Sequence, residues 1–495
     1  MHHEIQPDNP YEYPLSLATF HEVEAIERRS DEEAKESVKK ANHSGPPPLC
    51  CALMKSYDRF LFDSYVLDLE HGKITLNYAL EDDVTFTETL IIPREHATKT
   101  NAALDAALFA LHLIGGISYF KTCLPVTMEI RSGSLTETEA TFWNTVYENG
   151  LGEFFFKNNI DPAGVMHFPG SATEKKEKQE MKKTMKRMLV PIGGGKDSTV
   201  TAELLKKAGY DVTLLRVGHH PFIDHIASIA GLPLLTIERH LSPALFELNA
   251  KGALNGHVPI TAYLSVLAVV VAMIEGFDAV VWSNEHSSSF GNVTFHGREI
   301  NHQWSKSLEF ERAFQDYLQT TIETDIASFS LLRPWSELKI VQKFVEYPQY
   351  LRAFTSCNAN WKILGKKEEK ASAWCGTCPK CAFAFLLMAA YLPTENTTEI
   401  FGKNLFEEKA LAAIYRELLG LEGFKPFECV GTPEECRAAL LLAHRRGDME
   451  KTDVMMMFVK DVLPTINHPD MLIDQVFAVS RDHMIPKPFQ DIVLS

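Results

Sequence analysis

A run of three glycines beside a strongly apolar segment constrains the fold of this chain more than any other feature. The segment VPIGGGKDSTVTAELLKKAG, residues 190–209, has the pattern of a buried strand, a glycine turn and an amphipathic helix. Glycine lets backbone N–H groups approach an anion closely, and the start of a helix adds partial positive charge. The alternative is a tight turn in which Asp197 or Ser198 only caps the helix. We predict a phosphate-binding loop formed by Gly193, Gly194, Gly195, Lys196, Asp197 and Ser198.

Strands and helices alternate through the middle of the chain, which is typical of a parallel sheet covered by helices on both faces. The predicted elements are a strand at 188–192, a helix at 198–208, a strand at 212–217, a helix at 258–274 and a strand at 279–282. Ligands of such a doubly wound sheet bind at the carboxyl ends of the strands. We therefore predict an α/β fold with the glycine loop at its ligand-binding edge.

Composition divides the chain into regions that we interpret as domains. We predict a polar N-terminal segment at 1–48, an α+β domain at 49–170, a charged linker at 171–187, a domain at 188–365 that contains the phosphate-binding loop, and a helical region with a cysteine cluster at 366–495. Outside the ATP-binding domain, the patterns predict strands at 60–69, 73–78 and 85–92, and helices at 101–114, 382–392, 405–419, 433–445 and 452–463.

Charge and hydropathy exclude several classes of partner. The 495 residues carry a formal net charge of −16, so we expect no nucleic-acid partner. We find no secretion signal, and we interpret the apolar stretch 258–274 as a buried helix that leads into a buried strand, not as a membrane span. We therefore expect a cytoplasmic protein with no membrane partner. The sequence does not indicate its oligomeric state.

Four of the nine cysteines are spaced like metal ligands. Cys357, Cys375, Cys378 and Cys381 follow the pattern C-x17-C-x2-C-x2-C, and four thiolates match the tetrahedral preference of structural zinc. The ferredoxin pattern needs a further cysteine where this chain has Phe385. We predict a structural zinc, with free thiols and an iron–sulfur cluster as the alternatives.

Polar residues that follow two other strands extend the predicted site. Val217 ends the second strand of the parallel domain, where we expect adenine to bind. Glu285 follows a later strand and is a candidate magnesium ligand or base, and His302 and Lys306 open a helix in a polar stretch. The alternative for these three residues is that they are ordinary surface residues.

The glycine loop resembles that of a known superfamily. GGGKDS, residues 193–198, is similar to the SGGxDS loop of the PP-loop ATP pyrophosphatases, which split ATP between its α and β phosphates. Gly193 stands where that superfamily has serine, so one hydroxyl contact is lost while the backbone cradle remains. The cysteine cluster resembles the zinc site of 7-cyano-7-deazaguanine synthase, another member of the superfamily.

Longer sequence motifs resemble one family within this superfamily. The ATP-dependent UDP-N-acetylmuramoyl-L-alanyl-L-glutamate epimerases, the MurL family, are similar to this chain over roughly residues 50–440. The motifs that carry the resemblance are LHLIGGISYFK (111–121), GLGEFFFKNN (150–159), NGHVP (255–259), WSNEHS (282–287), NHQWSKSLEFE (301–311), LLRPWSEL (331–338), WCGTCPKCAF (374–383) and KPFECVG (425–431).

The resemblance implies an enzyme of peptidoglycan precursor synthesis. Such an enzyme inverts the terminal L-glutamate of UDP-MurNAc-L-Ala-L-Glu through a carboxyl adenylate, uses ATP and Mg²⁺, and releases AMP and pyrophosphate. We take Lys196, Glu285, His302 and Lys306 as candidate catalytic residues. The alternatives are another ATP pyrophosphatase, such as a relative of 7-cyano-7-deazaguanine synthase, and a non-catalytic nucleotide-binding sensor.

Overall fold

The computed structural model describes residues 56–93, 100–172, 184–361 and 373–494. The predicted polar segment 1–48 lies outside the described residues, as does most of the predicted linker 171–187. Within the described ranges the chain has a mixed α/β fold built around one large sheet with many helices.

One sheet of nine strands runs through the described part of the molecule. In chain order the described strands, of which all but β9 and β10 belong to this sheet, are β1 (Arg59–Asp68), β2 (Lys73–Leu80), β3 (Val84–Ile91), β4 (Thr127–Ile130), β5 (Arg187–Pro191), β6 (Asp211–Val217), β7 (Leu234–His240), β8 (Ala279–Trp282), β9 (Val293–Phe295), β10 (Arg298–Ile300) and β11 (Ala327–Ser330). The order in the sheet is β11-β8-β5-β6-β7-β3-β2-β1-β4, and β9 pairs with β10 separately. The first five strands of that order are mutually parallel, whereas β7, β3, β2 and β1 pair antiparallel.

Helices cover both faces of this sheet. They are α1 (Ala102–Gly115), α2 (Ile117–Phe120), α3 (Glu137–Gly150), α4 (Gly152–Lys157), α5 (Lys196–Lys207), α6 (Pro221–Ala230), α7 (Pro243–Ala250), α8 (Ile260–Glu275), α9 (Leu308–Tyr317), α10 (Glu337–Phe344), α11 (Pro379–Ala389), α12 (Thr394–Phe401), α13 (Ala412–Leu418), α14 (Pro433–Arg446), α15 (Asp453–Met457), α16 (Pro469–Phe477) and α17 (Lys487–Val493). Met188 and Val190 of β5 pack in one hydrophobic core with α5, whereas Leu189 packs in a second core with α8. Alternate residues of the strand thus face opposite layers.

The strand β5 is the point at which the chain reverses its direction across the parallel part of the sheet. From β5 the chain proceeds to β6 and β7 on one side, while β8 and β11 lie on the other side. In open α/β sheets the ligand crevice lies outside the carboxyl ends of the strands at such a reversal. The residues that follow β5 and β8, including Gly193 and Glu285, therefore occupy the edge where a ligand is expected.

A buried ionic network joins the antiparallel strands to the parallel ones. Glu88 of β3 is fully buried and accepts hydrogen bonds from Arg239 Nε of β7 at 2.8 Å and from Tyr263 of α8 at 2.7 Å. Its other oxygen accepts a hydrogen bond from Tyr119 of α2 at 2.9 Å. Because every member is hydrogen-bonded, the network can be buried without a stranded charge. It holds two strands and two helices at the junction of the sheet.

Most predicted elements in the first 300 residues are confirmed. The strands predicted at 60–69, 73–78 and 85–92 correspond to β1, β2 and β3, and the helix predicted at 101–114 corresponds to α1 with Asn101 as its N-cap. The segments predicted at 258–274 and 279–282 are the buried elements α8 and β8. One described helical stretch, Ala102–Phe120, is long and apolar enough to cross a membrane, and 78% of its most apolar window is buried inside the protein.

The helix predicted at 405–419 is wrong. The structure has short 3₁₀ turns from Leu405 to Leu411, and only then α13 begins. On a continuous helix, Phe406 and Tyr415 would project about 180° apart, yet both are buried in the same core. Breaking the helix lets both side chains reach that core. The helix predicted at 452–463 is likewise interrupted, because α15 passes into a π-helical turn at Phe458–Val462. Nothing in the sequence pattern predicted that the two sets of strands share one sheet.

We expect Glu88→Gln to destabilise the protein, because it leaves the buried guanidinium of Arg239 without its counter-charge. The expected loss is about 3 kcal/mol in the free energy of unfolding, measured by urea denaturation. Asp82→Asn, in the exposed turn between β2 and β3, is the matched control and should change stability by less than ~0.5 kcal/mol. Equal stability of the two variants would show that the network does not stabilise the junction.

Candidate active site

The glycine loop turns between the end of β5 and the start of α5. Gly194 has a φ of +78°, which L side chains rarely adopt, and Gly195 is the N-cap of α5. The protein holds the loop by its carbonyls: Thr355 N donates to Gly194 O at 2.9 Å, and Thr199 Oγ1 donates to Gly195 O at 2.9 Å. A Cβ at Gly193 would meet no described atom within 4 Å. Because the first N–H groups of a helix have no intrahelical acceptor, the loop has both the space and the donors for an anion.

Lys196 is buried beside the loop between two carboxylates. Its Nζ lies 2.6 Å from Asp197 Oδ1 and also forms an ion pair with Glu337. Burial alone lowers the pKa of Lys196, but Asp197 and Glu337 outweigh burial and raise that pKa above its ordinary value. Burial, together with the nearby carboxylates of Asp197 and Glu285, raises the pKa of Glu337 to about 8. Lys196 is therefore a protonated donor between two carboxyl groups, Asp197 and Glu337. Of these two, Glu337 is the one whose protonation is favoured by burial.

A fully buried arginine joins the segment that follows β8 to the segment that carries Lys306. Arg333 donates through Nη1 to Glu285 O at 2.6 Å and through Nη2 to Lys306 O at 2.5 Å. The same guanidinium pairs with the Glu311 carboxylate at 2.8 Å. The side chain of Glu285 is buried, at 4% exposure, and no described residue donates a hydrogen bond to its carboxylate. Arg333 thus fixes the backbone on both sides of the site and leaves the Glu285 carboxylate available.

Lys306 and His302 meet at the thiol of Cys429. Lys306 Nζ donates to Cys429 Sγ at 3.2 Å, and His302 lies close enough to this thiol to shift its pKa. Lys380 donates to the backbone carbonyl of Cys429. Burial by itself raises the pKa of Cys429, but Lys306, His302 and Lys380 lower it well below its usual value. Cys429 is therefore held as a thiolate at neutral pH.

A buried carboxylate orients His302 toward that thiolate. Glu153 accepts a hydrogen bond from His302 Nδ1, and the same carboxylate lies 3.4 Å from His257 Nδ1. Burial lowers the pKa of His302, but the charge of Glu153 and the contact with Cys429 raise it overall to about 10. Burial and the charge of His302 lower the pKa of His257 to about 3. His302 is thus an imidazolium between a carboxylate and a thiolate, while His257 is neutral.

The cluster around Glu153 has the size of a metal site but an unfavourable charge for one. Donor atoms of Glu153, His257 and His302 lie within 4.8 Å of one another. Lys157 pairs with Glu153 at 2.9 Å, and the positive charges of Lys157 and Lys121 both act on His257. Two lysines beside the donors oppose the binding of a further cation. The cluster is better described as an ion-pair chain that ends at the thiolate.

The four predicted zinc ligands are close together. The Sγ atoms are 4.0 Å apart for Cys357 and Cys378, 3.7 Å for Cys375 and Cys381, and 3.5 Å for Cys378 and Cys381. A tetrahedron with Zn–S bonds of ~2.3 Å separates its sulfurs by about 3.8 Å. The donor set and its dimensions therefore fit a structural zinc.

The structure brings most of the predicted site residues to one edge of the sheet. Burial lowers the pKa of Lys306, but Cys429, Glu285 and Asp197 together raise it, so Lys306 lies within the electrostatic reach of the glycine loop, the segment after β8 and the thiolate. Val217 ends the neighbouring strand β6. The alternative that Glu285, His302 and Lys306 are ordinary surface residues is wrong for Glu285, which is buried, whereas His302 and Lys306 are half-buried. Their roles in catalysis stay predictions.

Sequence reasoning missed several residues that shape the site. They are Glu153, His257, Arg333, Glu337 and Cys429. Each lies inside one of the sequence motifs that carry the family resemblance, so these motifs marked its position. An isolated cysteine, arginine or glutamate, however, has no spacing pattern that reveals its chemistry. Only the fold shows that Glu153 and Cys429, 276 positions apart by subtraction of their residue numbers, share His302 as a partner.

Comparisons with known proteins match most of the chain to two domain models and to named relatives. A model of the MurL N-terminal domain matches residues 52–331, and a model of the MurL C-terminal domain matches residues 353–471. A protein of Xanthomonas oryzae pv. oryzae, named UDP-N-acetyl-alpha-D-muramoyl-L-alanyl-L-glutamate epimerase, is 39% identical over 88% of this chain and 97% of its own length. Proteins with the same name from Micromonospora sp. and Salinispora tropica are 36% and 35% identical over 88% of this chain, and over 98% and 96% of their own lengths.

We expect Cys429 to be alkylated by iodoacetamide even in mildly acidic solution. An ordinary thiol becomes unreactive well below its pKa of ~8.5, whereas the rate at Cys429 should persist in mildly acidic solution because the thiolate is already present. Lys306→Met removes the closest positive charge and should move the midpoint of the rate profile upward by roughly one unit or more. The measurement is mass spectrometry of the alkylated peptide, with N-acetylcysteine as the reference. A profile for Cys429 that coincides with this reference would contradict the thiolate.

Proposed function

The chain belongs to the MurL family, and from this premise we propose that it epimerises the terminal L-glutamate of UDP-MurNAc-L-Ala-L-Glu to D-glutamate with ATP as co-substrate. The observation that carries the proposal is the activity named for three relatives that match 88% of the chain. The glycine loop supports the use of ATP, because its open cradle and helix start suit a phosphate. The reaction is a step of peptidoglycan precursor synthesis, which takes place in the cytoplasm.

ATP serves a kinetic purpose in this proposal. The two epimers differ at one of several stereocentres, so their free energies are close and the inversion itself needs no driving force. A free carboxylate, however, strongly disfavours loss of its own α-proton, because the carbanion forms beside a negative charge. Joining the carboxylate to AMP removes that charge and turns the carbonyl into an electron sink, so that a modest base can take the proton. Hydrolysis of the acyl phosphate then releases AMP.

Each residue of the loop would make a different contact with ATP. Gly193, Gly194 and Gly195 offer backbone N–H groups to the pyrophosphate that leaves, and Ser198 adds a hydroxyl donor. Lys196 can transfer its positive charge from Glu337 to a phosphate oxygen. Burial raises the pKa of Glu337 and the charge of Lys196 lowers it, so that carboxyl takes up a proton more readily when Lys196 leaves it. The movement of Lys196 from Glu337 to a phosphate oxygen therefore leaves no unpaired charge buried at Glu337.

Magnesium fits the position of Glu285. Glu285 is buried at the carboxyl edge of the sheet, and carboxylate oxygens are preferred Mg²⁺ ligands. Glu285 and Asp197 would hold the ion, which supplies neutralisation of the phosphate charge when it is bound.

The decisive assay combines two products of one incubation. The full chain is mixed with ATP, Mg²⁺ and UDP-MurNAc-L-Ala-L-Glu, pyrophosphate is measured, and the chirality of the glutamate is determined after hydrolysis. We expect D-glutamate and pyrophosphate to form together. Retention of L-glutamate with no pyrophosphate would overturn the proposal.

In the same assay, Gly193→Ala should separate ligand binding from folding. The new Cβ meets no described protein atom, so stability should be unchanged, but the methyl group occupies the phosphate space and activity should fall roughly a hundredfold, as for loss of a preorganised contact. Ser198→Ala should also lower the activity. Lys207→Ala, exposed at the far end of α5, is the control and should remain fully active. An active Gly193→Ala variant would remove the loop from the ATP site.

We further propose that Cys357, Cys375, Cys378 and Cys381 bind a structural zinc. Purified protein should contain about one zinc per chain, measured by atomic emission. Cys378→Ser should lose the metal and lower the free energy of unfolding by at least ~3 kcal/mol, while Cys123→Ser, outside the cluster, should keep it. Metal-free but fully stable protein, or the visible absorption of an iron–sulfur cluster, would refute the zinc site.

A further inference from the structure

We propose that Cys429 is the base that removes the α-proton of the activated glutamyl residue, with His302 and Lys306 as the residues that hold and position its thiolate. The inference rests on the proposed function above and adds to it the group that acts on the substrate carbon.

The first argument is the position of the thiol relative to the nucleotide loop. The α-carbon is bonded directly to the acyl carbon that ATP activates, so its base must lie next to the site of activation. Lys306 connects the two places: its Nζ donates to Cys429 Sγ at 3.2 Å, and Asp197 of the loop and Glu285 both act on its charge. The backbone of Lys306 is held in turn by the buried Arg333.

The second argument is the chain of partners behind the thiol. Glu153 accepts a hydrogen bond from His302, and His302 lies close enough to Cys429 for the two groups to shift each other's pKa. A carboxylate that orients an imidazole, which in turn contacts a thiol, is the arrangement by which enzymes prepare a reactive cysteine. Here Lys306 adds a second positive charge on the thiolate, and Cys429 is only partly buried. The sulfur is therefore both charged and within reach of a ligand.

The third argument is that the neighbouring groups are not free to act as this base. His302 and Lys306 are protonated near neutral pH, since the surrounding charges raise the pKa of each. Glu153 is engaged by His302 and Lys157. Glu428, next to Cys429, accepts a hydrogen bond from Asn358, and burial raises its pKa to about 7. Cys429 is the group that is held unprotonated and lies in contact with Lys306.

The chemical step balances without any further reactant. The Cys429 thiolate takes the α-proton as the C–H bond breaks, and the electron pair of that bond moves onto the acyl carbonyl oxygen. The carbonyl re-forms as a solvent-derived proton is delivered to the opposite face of the carbon, and water then cleaves the acyl phosphate. The Cys429 thiol returns its proton to solvent before the next turnover. No net oxidation occurs.

The test uses the full chain in deuterated water with ATP, Mg²⁺ and UDP-MurNAc-L-Ala-L-Glu. Pyrophosphate release reports activation of the carboxylate, and deuterium at the glutamate α-carbon, measured by mass spectrometry, reports action at carbon. The wild type should give both signals. Cys429→Ala and Cys429→Ser should still release pyrophosphate but lose α-deuterium by roughly a hundredfold or more, the usual contribution of general acid–base catalysis. Cys123→Ser, a cysteine outside the site, should match the wild type.

The outcomes separate this inference from the proposed function. A wild type that releases no pyrophosphate defeats the proposed function itself. Cys429 variants that keep α-exchange, folded Cys429 variants that release no pyrophosphate, or loss of exchange in Glu428→Gln alone would each overturn the role of Cys429 as base. A covalent glutamyl adduct on Cys429, found by intact-mass measurement after acid quench, would also overturn it, because the sulfur would then be a nucleophile.

The positioning role of Lys306 has its own readout. With Lys306→Met, pyrophosphate release should persist, and α-exchange should be recovered at higher pH, where the thiol ionises without its help. An exchange rate that stays low at every pH in this variant would contradict the positioning role.

Discussion

The buried guanidinium of Arg333 is the interaction on which the rest of the site depends. It holds the backbone carbonyls of Glu285 and Lys306, and it is neutralised by Glu311. An unpaired charge at this depth would cost several kcal/mol, whereas a planar fork with several donors can satisfy carbonyls and a carboxylate at once. A lysine, as a point charge, could not span the same acceptors. Two irregular segments are therefore fixed at the carboxyl edge of the sheet as firmly as if they were strands.

Fixing those segments lets charges alternate through a buried space. Glu153, His302, Cys429 and Lys306 follow one another as negative, positive, negative and positive groups. Each charge is stabilised by its neighbours, which is why burial does not neutralise them. The whole chain carries a net charge of −16, but interactions beyond ~8 Å are screened in physiological salt. The charge states of these buried groups therefore depend on their immediate neighbours and not on the net charge of the protein.

The sequence predicted the parts of the fold that have a strong local signal. The glycine turn after an apolar strand located the loop after β5, and period-2 and period-3.6 patterns located β1, β2, β3 and α8. The joining of the antiparallel strands to β7 was not predictable, because it depends on Glu88 meeting Arg239, 151 residues away. The partners of Lys306 were missed for the same reason. Cys429 has no neighbour in the sequence that indicates a lowered pKa, and the largest lowering comes from Lys306, 123 positions away.

A thiolate that is stable at neutral pH is a weak base, and this weakness explains why activation and proton transfer belong in one site. The positive charges that keep Cys429 ionised also lower its affinity for a proton. Such a base cannot remove the α-proton of a free glutamate, whose carboxylate resists a second negative charge. In the proposed mechanism it would do so once adenylation had converted that carboxylate into an electron sink. On that proposal the loop after β5 and the thiolate lower the same barrier in two ways, and the ionised cysteine would not act on the substrate until ATP had reacted.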